Sequence, residues 1–144
     1  MMTSGMYSSK DPTWATPPEV YEPLNAEFNF TLDVCANPNN AKHINFFTPE
    51  DDGLAQSWKG HRCWMNPPYG REIAKWVKKA HDEHKKHGIT VVCLLPARTD
   101  TAYFHDYIYH KAEIRFLRGR VKFINADGRP LNSAPFPSMI VIYR

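Results

Sequence analysis

The sequence predicts an α/β fold: a mostly parallel sheet with helices on its faces, closed by an antiparallel C-terminal strand. Three observations carry this. Segments of strand and helix character alternate between residues 17 and 109, the order that builds parallel sheets through helical crossovers. Ile89-Thr90-Val91-Val92-Cys93-Leu94-Leu95 is apolar almost throughout, and near-uniform hydrophobicity implies a central strand covered on both faces. From residue 113 onward the chain is strand-rich, which argues for an antiparallel end.

The elements follow in order. Residues 1–13 carry Ser, Gly, Lys, Asp and Pro without periodicity and read as a loose arm, leaving one domain over 14–144. Pro17 and Pro18 suit a helix start, and Val20, Tyr21 and Leu24 lie three and four apart, so a helix is expected to end by Phe28. Residues 30–36 read as a buried strand, and Asn37-Pro38-Asn39-Asn40 as the turn that closes it. A second short strand is expected over 44–47, then Thr48-Pro49-Glu50-Asp51-Asp52 as the capped, acidic start of a brief helix. Residues 62–65 form the next strand. Ile73, Trp76, Val77 and Ala80 at helical spacing predict a helix over 71–87, stopped by Gly88. The central strand is followed by a helix over 99–109 and by strands over 113–117, 121–124 and 139–143. No internal repeat is visible. The set describes a Rossmann-like sheet with an antiparallel end.

With 144 residues and 42% hydrophobic composition the chain supports one core and one domain. It shows neither a charged-then-apolar leader nor a run long enough to span a bilayer, so a soluble, cytoplasmic protein with no membrane partner is expected. Cys35, Cys63 and Cys93 are odd in number, sit in apolar runs and lack ligand spacing, which favours reduced, buried thiols over a disulfide or zinc. His81, His84 and His87 recur every third residue with Lys85 and Lys86 among them; that spacing drifts around a helix, and no metal site is expected. The charge is uneven: residues 1–60 hold 3 basic and 8 acidic side chains, residues 61–144 hold 15 and 7. An acidic half suits a cationic or hydroxyl-rich small ligand, a basic half a polyanion such as nucleic acid.

Asn66-Pro67-Pro68-Tyr69-Gly70 follows the short strand and precedes the amphipathic helix. Successive prolines fix φ and remove two backbone N–H donors, leaving a rigid shelf of carbonyl acceptors at a strand end. The Asn66 side-chain oxygen and the Pro67 carbonyl can both accept from one planar amine, and the Tyr69 ring offers a face for a heterocycle. That pattern suits the exocyclic amine of a nucleobase, at a position where open α/β sheets bind ligands. A carboxylate at Asp51 or Asp52 can accept from a ribose hydroxyl or an adenine amine.

These segments, with Trp14-Ala15-Thr16-Pro17-Pro18-Glu19-Val20, Leu32-Asp33-Val34-Cys35-Ala36, Asp52-Gly53-Leu54 with Trp58 after it, Leu94-Leu95-Pro96-Ala97-Arg98-Thr99, Gly119-Arg120-Val121-Lys122-Phe123 and Ala134-Pro135-Phe136-Pro137-Ser138, resemble a small phage-type DNA N6-adenine methyltransferase family (Dam-like) that uses S-adenosylmethionine. The resemblance spans residue 14 to the C-terminus. It implies that Asn66, Pro67, Pro68 and Tyr69 serve catalysis, and that Trp14, Thr16, Pro17, Asp33, Ala36 and Asp52 hold the cofactor. Asp33 would meet the methionyl ammonium directly or through water, Trp14 the sulfonium by cation–π attraction, and Asp52 the adenosine. The family implies a DNA partner, contacted here by Arg98, Thr99, Arg118, Arg120 and Lys122, with Arg115 and Arg129 as further basic candidates. Two features depart from the wider methyltransferase pattern: Cys35-Ala36-Asn37-Pro38 lacks the glycines of the usual cofactor loop, and the stretch from Asp33 to Asp52 is short.

The implied chemistry places Asn66 Oδ1 and the Pro67 carbonyl on the adenine amine, drawing its nitrogen toward pyramidal geometry. The base is flipped out or already single-stranded, with Tyr69 replacing a stacking neighbour. RNA adenine, a protein glutamine, and a non-catalytic nucleic-acid-binding role with a degenerate cofactor site remain alternatives.

Overall fold

The computed structural model describes residues 15–125 and 127–144. Helix α1 (Pro18–Phe28) starts behind Pro17 and ends at Asn29, which adopts the left-handed conformation and donates its N–H to Asn25. Strand β1 (Leu32–Asp33) and strand β2 (Cys63–Met65) are short. Helix α2 (Ile73–His87) closes on left-handed Gly88, as expected for a glycine stop. Strand β3 (Val91–Pro96) is the buried central strand. Helix α3 (Ala102–Tyr107) is capped by Thr101, whose hydroxyl accepts from the Phe104 N–H, and strands β4 (Glu113–Phe116) and β5 (Ser138–Tyr143) complete the fold.

The five strands lie in the order β1-β2-β3-β5-β4. β1, β2 and β3 are parallel, and β5 inserts antiparallel between β3 and β4, so four strands share one direction. On one face Tyr21, Leu24 and Phe28 of α1 are buried, with Tyr21 edge-on to Trp64 at 5.2 Å. On the other face α2 buries Ile73, Trp76, Val77 and Ala80, and α3 buries Tyr103 and Phe104. The outer edge is tied to α1 by charge. Arg115 donates to both carboxylate oxygens of Glu27 at 2.7 and 2.8 Å and to Glu113 at 2.7 Å, and Arg144 donates to Glu113 at 2.6 Å.

Several expected elements differ. The strand over 30–36 bonds to the chain around β2 from Thr31 to Val34, where Thr31 N donates to Arg62 O and Val34 N to Trp64 O. Beyond Val34 the chain parts from β2, and Ala36 N donates to Phe47 O at 3.0 Å on the other side. Residues 44–47 form no full strand, but Phe46 bridges Asp33 in parallel and prolongs the sheet edge. The expected strand over 121–124 is absent from the sheet. Instead Ile124 bridges both Pro130 and Ala15, so this segment folds as a hairpin that pins the chain just ahead of α1. The helix expected after Asp52 is a single 3-10 turn, Gly53–Ala55. Among the described residues no helix is long and apolar enough to cross a membrane.

Candidate active site

The site begins where β2 runs out of donors. In a parallel ladder the donors on one strand recur at every second residue. Cys63 N donates to Thr90 O, and Met65 pairs with Cys93; continued by that step, the series would have residue 67 donate to Leu94 O. Residue 67 is proline and has no N–H. The Leu94 carbonyl accepts instead from the Tyr69 hydroxyl at 3.2 Å. The shelf thus leaves the sheet at Asn66, and the phenol closes the gap it leaves.

The same hydroxyl lies 3.0 Å from Asn66 Oδ1, so its one proton is shared between that oxygen and the Leu94 carbonyl, while Asn66 Nδ2 donates to Thr16 Oγ1 at 2.9 Å. Both ends of the Asn66 amide are therefore held. Burial pushes the Tyr69 phenol far above its ordinary pKa, so it stays a protonated donor. Its ring is only 8% exposed and packs edge-on against Phe123 at 6.4 Å and Phe136 at 5.5 Å. This corrects the expectation of a free stacking face: the ring is enclosed by two other rings, and its polar end works inward.

Asn66, Pro67 and Pro68 open onto a cleft of about 170 Å³ at the carboxyl ends of β1 and β2, whose further walls come from Cys35, Ala36, Phe47, Asp52, Gly53 and Trp76. No described backbone N–H donates to the Pro67 carbonyl. The turn after β1 forms without glycine because two asparagines brace it. Asn37 Oδ1 accepts from the N–H groups of Asn39 and Asn40, and Asn40 Oδ1 accepts from Asn37 N, the Asx geometry that stands in for a tighter backbone.

The acids separate by role. Asp51 Oδ2 accepts from Thr48 N and Oγ1 at 2.9 and 3.0 Å, and Asp51 N donates back to Thr48 Oγ1 at 3.2 Å, a reciprocal cap. Asp52 lines the cleft, holds a left-handed backbone at φ 55, and its carboxylate has no partner among the described residues. Asp33 sits behind the cleft wall. Its oxygens accept from Cys35 N at 3.3 Å and Lys42 N at 3.0 Å, and burial pushes its carboxyl up to about 7 against the pull of those two amides. It organises the loop over 35–42.

Of the residues expected around a cofactor, Ala36 and Asp52 line the cleft. Thr16 is buried against Asn66, and Pro17 caps α1 through its carbonyl, which accepts from Val20 and Tyr21. Trp14 lies outside the described residues. Trp58 is one of the landmarks of the resemblance, but sequence reasoning missed Trp76 and Glu83, which complete the rear wall with it. Trp76 stacks on Trp58 with centroids 6.5 Å apart, Trp58 Nε1 donates to Gly53 O at 2.9 Å, and Glu83 accepts from Trp58 N. Trp76 had a signal as an inward residue of α2, but one indistinguishable from core; nothing in local spacing joins Glu83 to Trp58.

Arg98, Thr99, Arg118, Arg120 and Lys122 are exposed. Arg98 lies over the Phe136 ring at 5.5 Å, Arg120 reaches Ala134 O at 3.5 Å, and none of these four bases has a carboxylate partner among the described residues. Because Phe136 packs on Tyr69, this basic segment borders the site. Arg115 does not belong to it, being committed to Glu27 and Glu113 at the far edge. The three histidines of α2 diverge: His81 meets Asp82, His84 the Ile89 carbonyl, and His87 the Glu83 carboxylate. No cluster suited to a metal occurs among the described residues. Cys63 and Cys93 are buried free thiols, and Cys35 is a half-buried one.

Comparison with known proteins points the same way. A sequence model described as DNA N-6-adenine-methyltransferase (Dam) matches residues 3–144. The chain is 36% identical over 148 residues to a DNA N-6-adenine-methyltransferase of Haemophilus phage HP1, covering 99% of this chain and 85% of that one. It is 31% identical over 149 residues to a DNA N-6-adenine-methyltransferase of Escherichia phage T1, covering 91% of this chain and 62% of that one. With nearly its whole length matched, the chain belongs to the DNA N-6-adenine-methyltransferase (Dam) family.

Proposed function

We propose that this protein transfers a methyl group from S-adenosylmethionine to the N6 amine of adenine in DNA, with the sheet serving as a Rossmann-like methyltransferase scaffold. One observation carries the reading: Asn66 and the Pro67 shelf line the same cleft as Asp52, whose carboxylate has no partner among the described residues. The lining fits the cofactor. Phe47, Pro49 and Trp76 offer apolar surface to a purine, Asp52 an acceptor for ribose hydroxyls or the adenine amine, and Ala36 and Asn37 polar backbone at the sheet end. Asp33 contributes through the loop it braces.

S-adenosylmethionine, when bound, supplies an electrophilic methyl on a sulfonium. The protein's task concerns the nucleophile, since adenine's amine lone pair is delocalised into its ring. Asn66 Oδ1 and the Pro67 carbonyl accept the two amine hydrogens and favour the pyramidal nitrogen whose lone pair can attack. Fixed acceptors in a dry cleft stabilise the charge that develops, a contribution of about 3 kcal/mol by analogy with other preorganised sites. The base leaves its stack to reach the shelf. Arg98, Arg118, Arg120 and Lys122, with Arg129, meet the phosphates.

The test is transfer of labelled methyl groups to unmethylated DNA followed by nucleoside analysis. N6-methyladenine is expected, and Asn66→Ala should abolish its formation while cofactor binding stays within a few-fold. Label on another base, or more than a few per cent turnover in the variant, refutes the reading. The missing glycines motivate the rival of a nucleic-acid-binding protein without cofactor; absence of calorimetric binding at millimolar S-adenosylmethionine would favour it.

A further inference from the structure

Resting on that reading, we infer that Tyr69 and Thr16 are positioning residues that fix the Asn66 amide through their hydroxyls, and that the 121–136 segment holds both hydroxyls in place. An asparagine amide has two faces of opposite character, an acceptor and a pair of donors. Only one orientation presents Oδ1 to an incoming amine. A free amide would populate both, and half its population would repel the substrate.

Here each end has one partner among the described residues. Tyr69 Oη donates to Oδ1 at 3.0 Å, leaving that oxygen its second lone pair, and Thr16 Oγ1 accepts from Nδ2 at 2.9 Å. Tyr69 Oη is also 3.2 Å from Leu94 O. Its single proton can pass from Oδ1 to Leu94 when an amine arrives, freeing acceptor capacity without leaving a buried hydroxyl unpaired. Both hydroxyls depend on one piece of chain. Phe123 and Phe136 wedge the Tyr69 ring edge-on. Ile124 exchanges two backbone bonds with Ala15, at 2.8 and 3.0 Å, directly before Thr16. The same segment carries Lys122 and Arg129 and is flanked by Arg118 and Arg120, so the chain that meets DNA also sets the amide.

The test uses the full chain and compares Tyr69→Phe, Thr16→Val and Thr16→Ser. Tyr69→Phe keeps the ring and its packing and removes only the hydroxyl. We expect kcat to fall about tenfold or more in Tyr69→Phe and Thr16→Val, with KM for DNA changed less than about twofold, and Thr16→Ser to recover most of the turnover lost in Thr16→Val. Nuclear magnetic resonance of the Asn66 side-chain amide gives a readout independent of turnover. Two resolved, slowly exchanging protons are expected in the parent protein and in Thr16→Ser, with line broadening or faster exchange in Tyr69→Phe and Thr16→Val. Full activity in Tyr69→Phe with an unchanged amide signal overturns the inference, as does a loss in Thr16→Val that serine fails to restore. A parent protein that makes no N6-methyladenine would instead overturn the functional reading.

Discussion

Replacing Gly53 by alanine tests how the cleft's rear wall is built. A Cβ at this position would lie 2.3 Å from the Val34 carbonyl oxygen and 3.1 and 3.3 Å from two ring carbons of Trp76. A carbon and a carbonyl oxygen in contact normally sit about 3.3 Å or more apart, so the overlap with Val34 is about 1 Å and falls on backbone that cannot rotate away. Gly53 is not among the glycines with positive φ, so alanine suffers no conformational penalty and gains about 0.5 kcal/mol from a stiffer unfolded chain. Overpacking costs about 1–3 kcal/mol, giving a net loss of about 0.5–2.5 kcal/mol. Relief must come from Val34, which precedes the Cys35–Ala36 wall, or from Trp76, which lines the cleft itself. Cofactor affinity should therefore fall about tenfold, as a displaced wall costs roughly 1.4 kcal/mol of binding. Urea unfolding and calorimetric titration with S-adenosylmethionine read the two effects. Gly60→Ala is the control: its Cβ meets nothing within 4 Å but its φ is +83°, so it should lose about 1 kcal/mol of stability and no affinity. A Gly53→Ala protein with stability within about 0.5 kcal/mol of the parent and unchanged affinity would refute the reasoning.

Asp33 gives a pH dependence with an unusual sign. Its carboxyl titrates near 3.8 in an open chain and near 7 when folded, so between those values the native state holds the extra proton and stability declines as pH rises. The contribution is complete below about pH 4 and gone above about pH 7, with an upper bound on the order of 4 kcal/mol. Urea unfolding across that window should show the decline in the parent and a flatter profile in Asp33→Asn; parallel profiles would contradict it. The neighbouring acids should part company. Asp52→Asn, which keeps a residue type that tolerates the left-handed backbone at φ 55, should weaken cofactor binding about tenfold with stability intact, whereas Asp51→Ala should cost about 1 kcal/mol of stability through its lost cap. Calorimetry and thermal melts on both variants decide this, and the reverse pattern would exchange their roles. Finally, DNA affinity should fall steeply with added salt, and the log–log slope should become shallower by about one for each of Arg118→Ala and Lys122→Ala. A flat titration would remove these bases from the interface.

The parts of the fold written in local spacing were legible in the sequence. The amphipathic run of α2 with its Gly88 stop, and the uniform apolar run of β3, each carry their own signal. The cleft position was legible too, because a donor-free shelf after a strand leaves only one end of the sheet to face. What stayed hidden depends on partners far apart in the chain. Val121 and Phe123 alternate like a strand and are buried, yet their segment pairs with Pro130 and Ala15, a choice no local pattern encodes. Asp33 at a strand end looked like a ligand for a cation, but the amides of Cys35 and Lys42 reach it first. Tyr69 illustrates the limit best: an aromatic residue after prolines reads as an open face, yet Phe123 and Phe136, more than fifty residues downstream, pack against it.

Residue 67 contributes by lacking an atom. Any other amino acid there would restore an amide hydrogen aimed at Leu94, and the sheet would zip one rung further. The phenol would then be evicted from that carbonyl, and its proton would rest permanently on the asparagine oxygen that substrate needs. Proline is thus a stop written into the weave, and the reactive edge exists because the fabric is prevented from finishing itself there.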